Sequence, residues 1–420
     1  MPLDYPFYVL FTACIYAILF VEREAVLQQN RPFGARALSI RVPKRRHAFL
    51  SFIQQYTFSL ICNTNDGLCE VRMSSMKNNR RFVQETALLS VVHAAVDFAC
   101  AALFFSVLNG DGLWLGMVLY NACAFLCQLP MGVLADRLNR NMLFAAIGCA
   151  LVALAFGLRS VPILAMVVAG LGNGAFHVGG GIEVLNGSEK KAGPLGVFVS
   201  PGAIGLYFGR VFSKELLSLP WLVPAILLGL GAAILLTGRK EYKEGSHNAP
   251  LSFDTPKGGP WLLILLFFVV ALRSFMGTTA AFSTGALLSS VPSVWAGFIP
   301  VLCLALGKTA GGFVADRLKP IPTAIASLGL CALLLFFPLH PALALVALFL
   351  FNMSMPLTLY QSARLLRGAK GTAFGLLTAA LFIGVVPFFL GVQAPASNVF
   401  YGALAAVSGA LLVIGLKEPK

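Results

Sequence analysis

Charged side chains are scarce in this chain of 420 residues. Asp, Glu, Lys and Arg together make up 11% of the sequence, whereas a soluble domain carries about 25% charged residues. Hydrophobic residues make up 58%. A soluble protein of this length could not cover its surface with so little charge, so most of the surface must face lipid. The composition therefore excludes an ordinary soluble enzyme and predicts an integral membrane protein.

Acidic residues are the scarcer of the two charge types. The chain has 17 Asp and Glu against 31 Lys and Arg, a formal net charge of +14. A basic balance can indicate nucleic-acid binding, but these Lys and Arg residues are dispersed in short turns between apolar runs and form no basic face. The excess is instead typical of the signal that orients membrane spans. We therefore expect no nucleic-acid partner.

Several enzyme motifs are absent as well. The sequence contains no nucleotide-binding P-loop, which excludes direct ATP drive within this chain. It contains neither H-E-x-x-H nor G-x-S-x-G, the motifs of zinc proteases and serine hydrolases. Most of its nine cysteines lie inside apolar runs, and Cys123 and Cys127 have no further His or Cys at metal-ligand spacing. We expect no enzyme activity, no cofactor and no metal centre.

A short repeat is the most informative feature that is present. Ala-Asp-Arg-Leu occurs at 135–138 and again at 315–318, and each copy has a glycine four positions before its aspartate. The copies are 180 residues apart, and in both places one long apolar segment ends before the charges and another begins after them. A charged turn between spans that recurs half a protein later indicates a duplicated transmembrane bundle. Duplicated bundles of this size are mostly transporters.

Hydropathy divides most of the chain into twelve apolar spans, most of them near the 20 residues that cross about 30 Å of hydrocarbon. We therefore predict an all-α membrane protein with twelve transmembrane helices in two pseudo-symmetric six-helix halves, 83–237 and 260–416. The polar linker 238–259 joins the halves, and 417–420 forms a tail. The predicted spans are 85–108, 112–134, 141–159, 162–185, 193–212, 218–237, 260–288, 293–314, 321–338, 341–363, 371–391 and 397–416.

Basic residues distinguish the two sides of this predicted bundle. Lys and Arg occupy alternate turns, with Arg159, Arg210 and Lys214 as exceptions. By the positive-inside rule, the basic turns, the linker and both ends of the twelve-span unit are cytoplasmic. An even number of spans requires the same arrangement. We expect a multi-pass protein of the plasma (cytoplasmic) membrane.

Residues 1–82 stand outside the duplication. They contain a short apolar run at about 8–21 and a basic stretch at 41–46. No basic region precedes the apolar run, so the segment is a poor signal peptide. Three interpretations stay open: an additional membrane-associated helix, a disordered cytoplasmic extension, or a start placed too early, with Met73 or Met76 as the first residue.

The two charged turns carry a family resemblance. Gly132-Val-Leu-Ala-Asp136-Arg137-Leu-Asn-Arg140 resembles the G-x-x-x-D-R-x-x-R signature between helices 2 and 3 of the major facilitator superfamily. Gly312-Phe-Val-Ala-Asp316-Arg317-Leu-Lys-Pro320 resembles the degenerate copy in the second half, with Pro320 in place of the last arginine. The resemblance covers residues 83–420. It implies a carrier that works by alternating access.

A narrower resemblance is to drug-efflux proteins of the fosmidomycin-resistance type. It rests on His93 and Asp97, on Gly172-Asn-Gly-Ala-Phe-His177, and on the glycine-rich stretch 196–205. The sequence departs from that pattern at Val178, where a proline is expected. This resemblance implies export by proton antiport.

The charged turns also have a physical interpretation. Glycines let helices approach closely, an aspartate can accept hydrogen bonds from a neighbouring helix N-terminus, and arginines can pair with carboxylates or helix C-termini. The alternative is a solvated turn that only obeys the charge rule. The family resemblance implies that this cluster closes a cytoplasmic gate. The expected gate residues are Gly132, Asp136, Arg137, Arg140, Gly312, Asp316 and Arg317.

Ionisable residues inside spans cost about 2.5–3.5 kcal/mol each on insertion scales, so each is a functional candidate. The candidates for proton or substrate binding are His93, Asp97, His177, Glu183, Arg273 and Lys308. His93 and Asp97 share a helix face, and Arg273 is the repeat counterpart of His93. The resemblance to the major facilitator superfamily implies that spans one and seven face each other across a central cavity, so Asp97 and Arg273 are expected to approach across it. Structural alternatives stay open: hydrogen-bonded packing for the histidines, an interfacial position for Glu183, and a Lys308 side chain that extends to the cytoplasmic face.

The leading hypothesis is a secondary active transporter of a small organic solute, proton-coupled and with drug efflux as one option. Uptake by symport stays open. The rivals are a lipid translocator and a membrane sensor that binds solute without moving it. The expected partners are a small molecule, which the two cations indicate is anionic, together with protons and the lipid bilayer. We expect the chain to act as a monomer.

Overall fold

The structure is a computed structural model that describes residues 66–108, 112–188, 191–215, 221–238, 248–282, 288–289, 291–337 and 340–418. The predictions for 1–65, for 239–247 of the linker and for 419–420 lie outside the described residues. The chain forms two units, Met1–Ala87 and Leu88–Lys420. Of the first unit, the structure describes the helical residues 66–87.

Helices account for most of the described residues. A π-helical turn, Ala122–Leu126, joins α2 to α3, and a 3-10 turn covers Ala280–Phe282. The α-helices are α1 Asp66–Val107, α2 Gly112–Asn121, α3 Gln128–Leu138, α4 Asn141–Gly157, α5 Pro162–Gly187, α6 Gly193–Val199, α7 Pro201–Val211, α8 Leu222–Gly238, α9 Gly259–Gly277, α10 Ser293–Leu318, α11 Pro320–Phe336, α12 Pro341–Asn352, α13 Ser354–Leu365, α14 Lys370–Phe389 and α15 Asn398–Gly415.

These helices confirm the prediction of a multi-span, all-α membrane protein. In the described part of the chain, eight helical segments are long and apolar enough to cross a membrane by length and composition. Three further apolar helices, α4, α8 and α11, have 17 residues each. Helices α6 and α7 follow each other with only Ser200 between them.

The two Ala-Asp-Arg-Leu turns fold alike. Helices α3 and α10 each end at the leucine, and the next residue has a positive φ in both copies, 50° at Asn139 and 74° at Lys319. Positive φ takes the chain out of the helix. In the second copy Pro320 then occupies the first turn of α11, where its missing N–H costs nothing. The repeat in sequence is therefore also a repeat in backbone conformation.

The interruption between α6 and α7 is caused by Pro201, which begins α7. Proline has no N–H to donate, and its ring disfavours a helical conformation at the residue before it. Backbone carbonyl groups near this break are therefore available to side chains. Ser200 uses one of them, since its hydroxyl donates to Gly196 O at 2.6 Å.

Candidate functional site

His93, Asp97 and His177 form a buried cluster, here called the triad. Nε2 of His93 lies 3.2 Å from an oxygen of Asp97 and 2.8 Å from Nε2 of His177. The second Asp97 oxygen lies 3.9 Å from Nε2 of His177. The spacing of four residues on α1 places His93 above Asp97, and α5 contributes His177. Asp97 is 6% exposed and His93 is 4% exposed.

The hydrogen bonds of the triad determine how many protons it holds. Nδ1 of His93 lies 2.7 Å from Phe198 O, and Nδ1 of His177 lies 2.9 Å from Asn173 O. A carbonyl oxygen only accepts, so each Nδ1 carries a proton. If both rings were neutral, their Nε2 atoms would carry no proton, and two lone pairs would face each other across 2.8 Å. A proton between the two Nε2 atoms would let the rings hydrogen-bond, and the negative charge of Asp97 would balance it.

Asn173 fixes the carboxylate of the triad. Its amide Nδ2 donates to Asp97 Oδ1 at 2.8 Å. Asn173 is 3% exposed and belongs to α5, whereas Asp97 belongs to α1. Asn173 therefore joins α5 to α1 through this hydrogen bond. Asn352 in the second half donates instead to Leu348 O, one turn away in its own helix.

A glycine brings α7 against the triad. A Cβ atom at Gly202 would lie closer than 3.0 Å to His93 Nε2 and Asp97 Oδ2. Gly205 and Gly209 pack on α1 in the same way, against the carbonyl oxygens of Ala94 and Phe98. Only glycine lets the two backbones approach this closely. The glycine-rich stretch that carried the narrower resemblance therefore forms one wall of the triad.

One interpretation of the sequence expected the Lys308 side chain to extend to the end of the bundle. The structure shows that it does not. Its amine donates to Val199 O at 3.4 Å. The backbone of Lys308 packs against Gly196, and Val199 lies further from the start of α6 than Gly196 does. The side chain therefore points into the bundle, toward the carbonyl groups freed by Pro201. Electrostatic interactions connect Lys308 with Asp97 and Arg273.

Arg273 is buried in α9 at 8% exposure, and its Nη1 atom has no hydrogen-bond partner. The structure does not bring it to Asp97, whose contacts are His93, His177 and Asn173. The repeat offset identifies positions related by pseudo-symmetry, and such positions need not touch. Lys308 on α10 is the cation that interacts with Asp97.

Asp136 joins the two predicted halves through a helix N-terminus. Its carboxylate accepts from the N–H groups of Gly371 and Thr372, each at 2.8 Å, and from the Thr372 hydroxyl at 2.9 Å. These donors belong to the first turn of α14. A carboxylate there satisfies orphan N–H groups and complements the helix dipole. Asp136 is 5% exposed.

Asp316 makes the equivalent contact on α6. Its two oxygens accept from Ala192 N at 2.6 Å and from Gly193 N at 2.9 Å. Each half therefore supplies a carboxylate to a helix N-terminus of the other half. The contacts differ in two respects: Asp136 is buried and accepts three hydrogen bonds, whereas Asp316 is exposed and accepts two.

The repeated glycines make these contacts possible. A Cβ atom at Gly132 would lie closer than 3.0 Å to the Gly371 carbonyl, and a Cβ atom at Gly312 would lie closer than 3.0 Å to the Ala192 carbonyl. Backbone atoms cannot yield as a flexible side chain can. Each glycine thus sets the distance at which the aspartate four residues later reaches its N–H groups.

Both carboxylate contacts lie at one end of the bundle, called the basic end below. Lys370, at the start of α14, donates to Leu185 O at 3.3 Å and to Asn186 Oδ1 at 3.0 Å. Leu185 and Asn186 end α5 just before the segment that binds Asp316. Arg137 and Arg317 occupy the last turns of α3 and α10, where cations complement the helix C-terminus. Arg140 is exposed just before α4.

Glu183 belongs to the basic end rather than to the triad. Its carboxylate accepts from Asn141 Nδ2 at 3.1 Å, and it interacts electrostatically with Lys370. Asn141 also donates to Asn248 of the linker at 2.9 Å, and Asn186 donates to the same Asn248 oxygen at 2.7 Å. Asn248 could not be identified from the sequence, because a lone asparagine in a polar linker is ordinary.

The triad also satisfies a distance test for a metal site. Its three potential ligand atoms lie within 4.8 Å of one another. In a tetrahedral zinc site with Zn–N bonds of about 2.0–2.1 Å, two nitrogen ligands lie about 3.3 Å apart. The two Nε2 atoms are 2.8 Å apart, which is a hydrogen-bond distance. The arrangement fits a proton between the rings better than a metal ion.

Known proteins give an independent comparison. No protein of the curated set matches this sequence. The structure is similar to the transporter FucP in the outward conformation, with a TM-score of 0.57 and 13% identity over 80% of this chain and 100% of that one. It is also similar to a bacterial homologue of the iron transporter ferroportin in an outward-facing state, with a TM-score of 0.53 and 14% identity over 79% of this chain and 97% of that one.

These structural similarities, at such low identity, show the fold alone. The sequence itself matches the profile of the Major Facilitator Superfamily over residues 86–388. That region includes both charged turns, the triad and the two buried cations. The chain belongs to the major facilitator superfamily.

Proposed function

We propose that this protein is a secondary active transporter that moves a small organic solute by alternating access, coupled to proton movement through the triad. The observation that carries the proposal is the pairing of the two histidines: both Nδ1 atoms face carbonyl oxygens, and the two Nε2 atoms lie 2.8 Å apart, which is the geometry of a shared proton. Gain or loss of one proton there changes the charge of a buried site, which is what proton coupling requires. A known FucP structure is that of an E. coli fucose:proton symporter, 13% identical with a TM-score of 0.53 over 80% of this chain and 100% of that one.

The proposed topology has twelve crossings. It counts the eight long segments, the three 17-residue helices, and α6 with α7 as one interrupted span. The basic end is then cytoplasmic, in the plasma membrane, and the two carboxylate contacts close the cytoplasmic gate. The chain acts as a monomer. The resemblance to fosmidomycin-resistance proteins supports efflux by antiport.

Among the described residues, the basic end has the stronger of the hydrogen bonds that join the helices. Asp136 and Asp316 accept five hydrogen bonds there, and bonds to charged groups are worth about 1.5–3 kcal/mol each. At the opposite end, Trp114 Nε1 donates to Phe389 O at 2.9 Å and the Tyr207 hydroxyl donates to Val294 O. Neutral bonds contribute about 1 kcal/mol each. This difference supports a conformation of the protein in which the end opposite the cytoplasm opens more readily than the basic end.

We expect Asp97→Asn to abolish proton-driven accumulation while exchange at equal pH persists. The substitution removes the charge that balances the shared proton, so the triad no longer retains it. The measurement uses proteoliposomes that contain a pH-sensitive dye, supplied with succinate, lactate or fucose under gradients of either sign. Movement of one of these solutes in the same direction as protons identifies symport. Movement of solute and protons in opposite directions identifies antiport.

Asp254→Asn in the exposed linker is the matched control for that experiment, since Asp254 contacts Ser252 rather than the triad. Normal gradient-driven accumulation by Asp97→Asn would contradict the proposal. Movement of fluorescent phospholipid between leaflets without any gradient would identify a lipid translocator instead. Solute binding without flux in either direction would identify a sensor.

A second prediction concerns the end opposite the cytoplasm. Tyr207→Phe removes one hydroxyl bond between α7 and α10, and the loss of about 1 kcal/mol should raise the population open at that end about fivefold. Spin labels at Lys214 and Ser293, near the ends of those helices, should report a longer distance in more molecules. Tyr360→Phe is the matched control, because that ring contacts Arg364 elsewhere. An unchanged distance distribution in Tyr207→Phe would show that this bond does not hold the gate.

A further inference from the structure

Two positive charges in the second unit have no carboxylate partner among the described residues. Arg273 is 8% exposed, and its Nη1 atom has no hydrogen-bond acceptor. Lys308 has Val199 O as its acceptor, at a long distance of 3.4 Å. No carboxylate in the described part of the chain lies within ion-pair distance of either cation.

Asp97 is a candidate for the counter-charge, because it interacts electrostatically with Lys308. In the proposed function, its negative charge balances the proton between His93 and His177, whose Nε2 atoms lie 2.8 Å apart. The triad as a whole is therefore neutral, and it leaves the charges of Arg273 and Lys308 uncompensated. Uncompensated charges inside a membrane protein are costly.

A structural role does not explain this cost. A buried cation that stabilises a fold is paired, and its remaining protons are satisfied by hydrogen bonds. Arg273 instead keeps a donor atom without an acceptor, and Lys308 lies close enough to interact with it although the two repel each other. Two like charges that lie near each other without a carboxylate are typical of a site whose counter-charge is a ligand.

We propose that Arg273 and Lys308 bind an oxyanion of the transported solute, a carboxylate or a phosphate. Arginine presents a planar set of donors that fits two oxygens of such a group, and lysine adds a compact point charge. The two residues lie on α9 and α10 of the second half, whereas the proton site lies on α1 and α5 of the first half. The inference rests on the proposed function and names the substrate class: a small organic acid.

Thermal unfolding of the purified protein in detergent tests this proposal without any transport. Inorganic phosphate and succinate are the probes, and uncharged succinamide is their matched comparison. We expect phosphate or succinate to raise the unfolding midpoint of the wild type at fixed ionic strength, and succinamide to leave it unchanged. Stabilisation by phosphate alone would identify a phosphate ligand, and stabilisation by succinate alone would identify a carboxylate ligand. Stabilisation by both probes would identify a site for oxyanions in general.

The variants Arg273→Gln and Lys308→Gln should each weaken binding of the effective probe by about tenfold or more, since each removes a charged hydrogen-bond donor. Arg159→Gln, which changes an exposed arginine, is the matched control and should bind as the wild type does. Arg273→Lys keeps the charge without the planar donors and should bind with intermediate strength, which preserves the test if Arg273→Gln does not fold.

A second readout separates a binding role from a structural one. Without probe, Arg273→Gln should unfold at the same temperature as the wild type or higher, because it removes an unpaired buried charge. A large loss of stability, or anion binding no weaker than that of Arg159→Gln, would overturn the proposal. So would a wild type that neither probe stabilises. Anion binding without proton-driven flux would contradict the proposed function alone, whereas flux of uncharged solutes without anion binding would contradict this inference alone.

Discussion

Asp136→Asn should reduce solute flux in proteoliposomes by about a hundredfold or more, with normal insertion into the membrane. An asparagine oxygen can accept from one of the donors Gly371 and Thr372, but its NH₂ group then faces another donor. The loss of one or two charged hydrogen bonds amounts to about 3–5 kcal/mol. Since each 1.4 kcal/mol is tenfold, the gate at the basic end should stay open and the transport cycle should stop.

Asp316→Asn provides the internal comparison for this prediction. Asp316 accepts two hydrogen bonds rather than three, and its exposed carboxylate loses less when its contacts are replaced by water. We expect a reduction of about tenfold, well short of the effect at Asp136. Equal losses at the two positions would show that burial does not determine the strength of the gate. Normal flux in Asp136→Asn would show that the contact does not control the gate.

Gly202→Ala should eliminate proton coupling almost completely. The added methyl group would lie closer than 3.0 Å to His93 Nε2 and Asp97 Oδ2, so either α7 or the two side chains must move. Any such movement separates the two Nε2 atoms that share the proton from each other or from Asp97. Proton uptake per solute molecule, measured with the dye-loaded proteoliposomes, should fall about tenfold or more, because proton transfer needs hydrogen-bond distances.

Gly229→Ala in α8 is the matched control, since a Cβ atom there would have open space around it. That variant should transport normally and gain slightly in stability, because alanine favours a helix over glycine by about 1 kcal/mol. Unchanged coupling in Gly202→Ala would mean that the triad tolerates displacement. The assignment of the shared proton would then be wrong.

The sequence predicted the parts of this protein that depend on local pattern. The repeat located two turns that share a positive φ at Asn139 and Lys319, and the spacing of His93 and Asp97 placed them on one helix face. The candidate Glu183 proved to lie at the basic end, with Asn141 as its partner. This location agrees with the alternative interpretation of the sequence, an interfacial position near the end of an apolar span.

The contacts that depend on backbone groups could not be derived in this way. His93 donates to Phe198 O and Lys308 donates to Val199 O, and neither partner is visible as a residue type. The signal that pointed there was Pro201, which interrupts the helix and frees carbonyl groups. The expected approach of Arg273 to Asp97 failed for a geometric reason, because a repeat offset identifies equivalent positions and not neighbouring ones.

The exchange of carboxylates between the halves has a consequence for the role of water. When the basic end opens, Asp136, Asp316 and the four backbone N–H groups they bind must all be hydrated. The open state therefore takes up water that the closed state excludes. Osmolytes excluded from protein surfaces, such as sucrose, favour the less hydrated state. Osmotic stress on the side of the basic end should then slow the opening of that end without any change in solute or proton concentration.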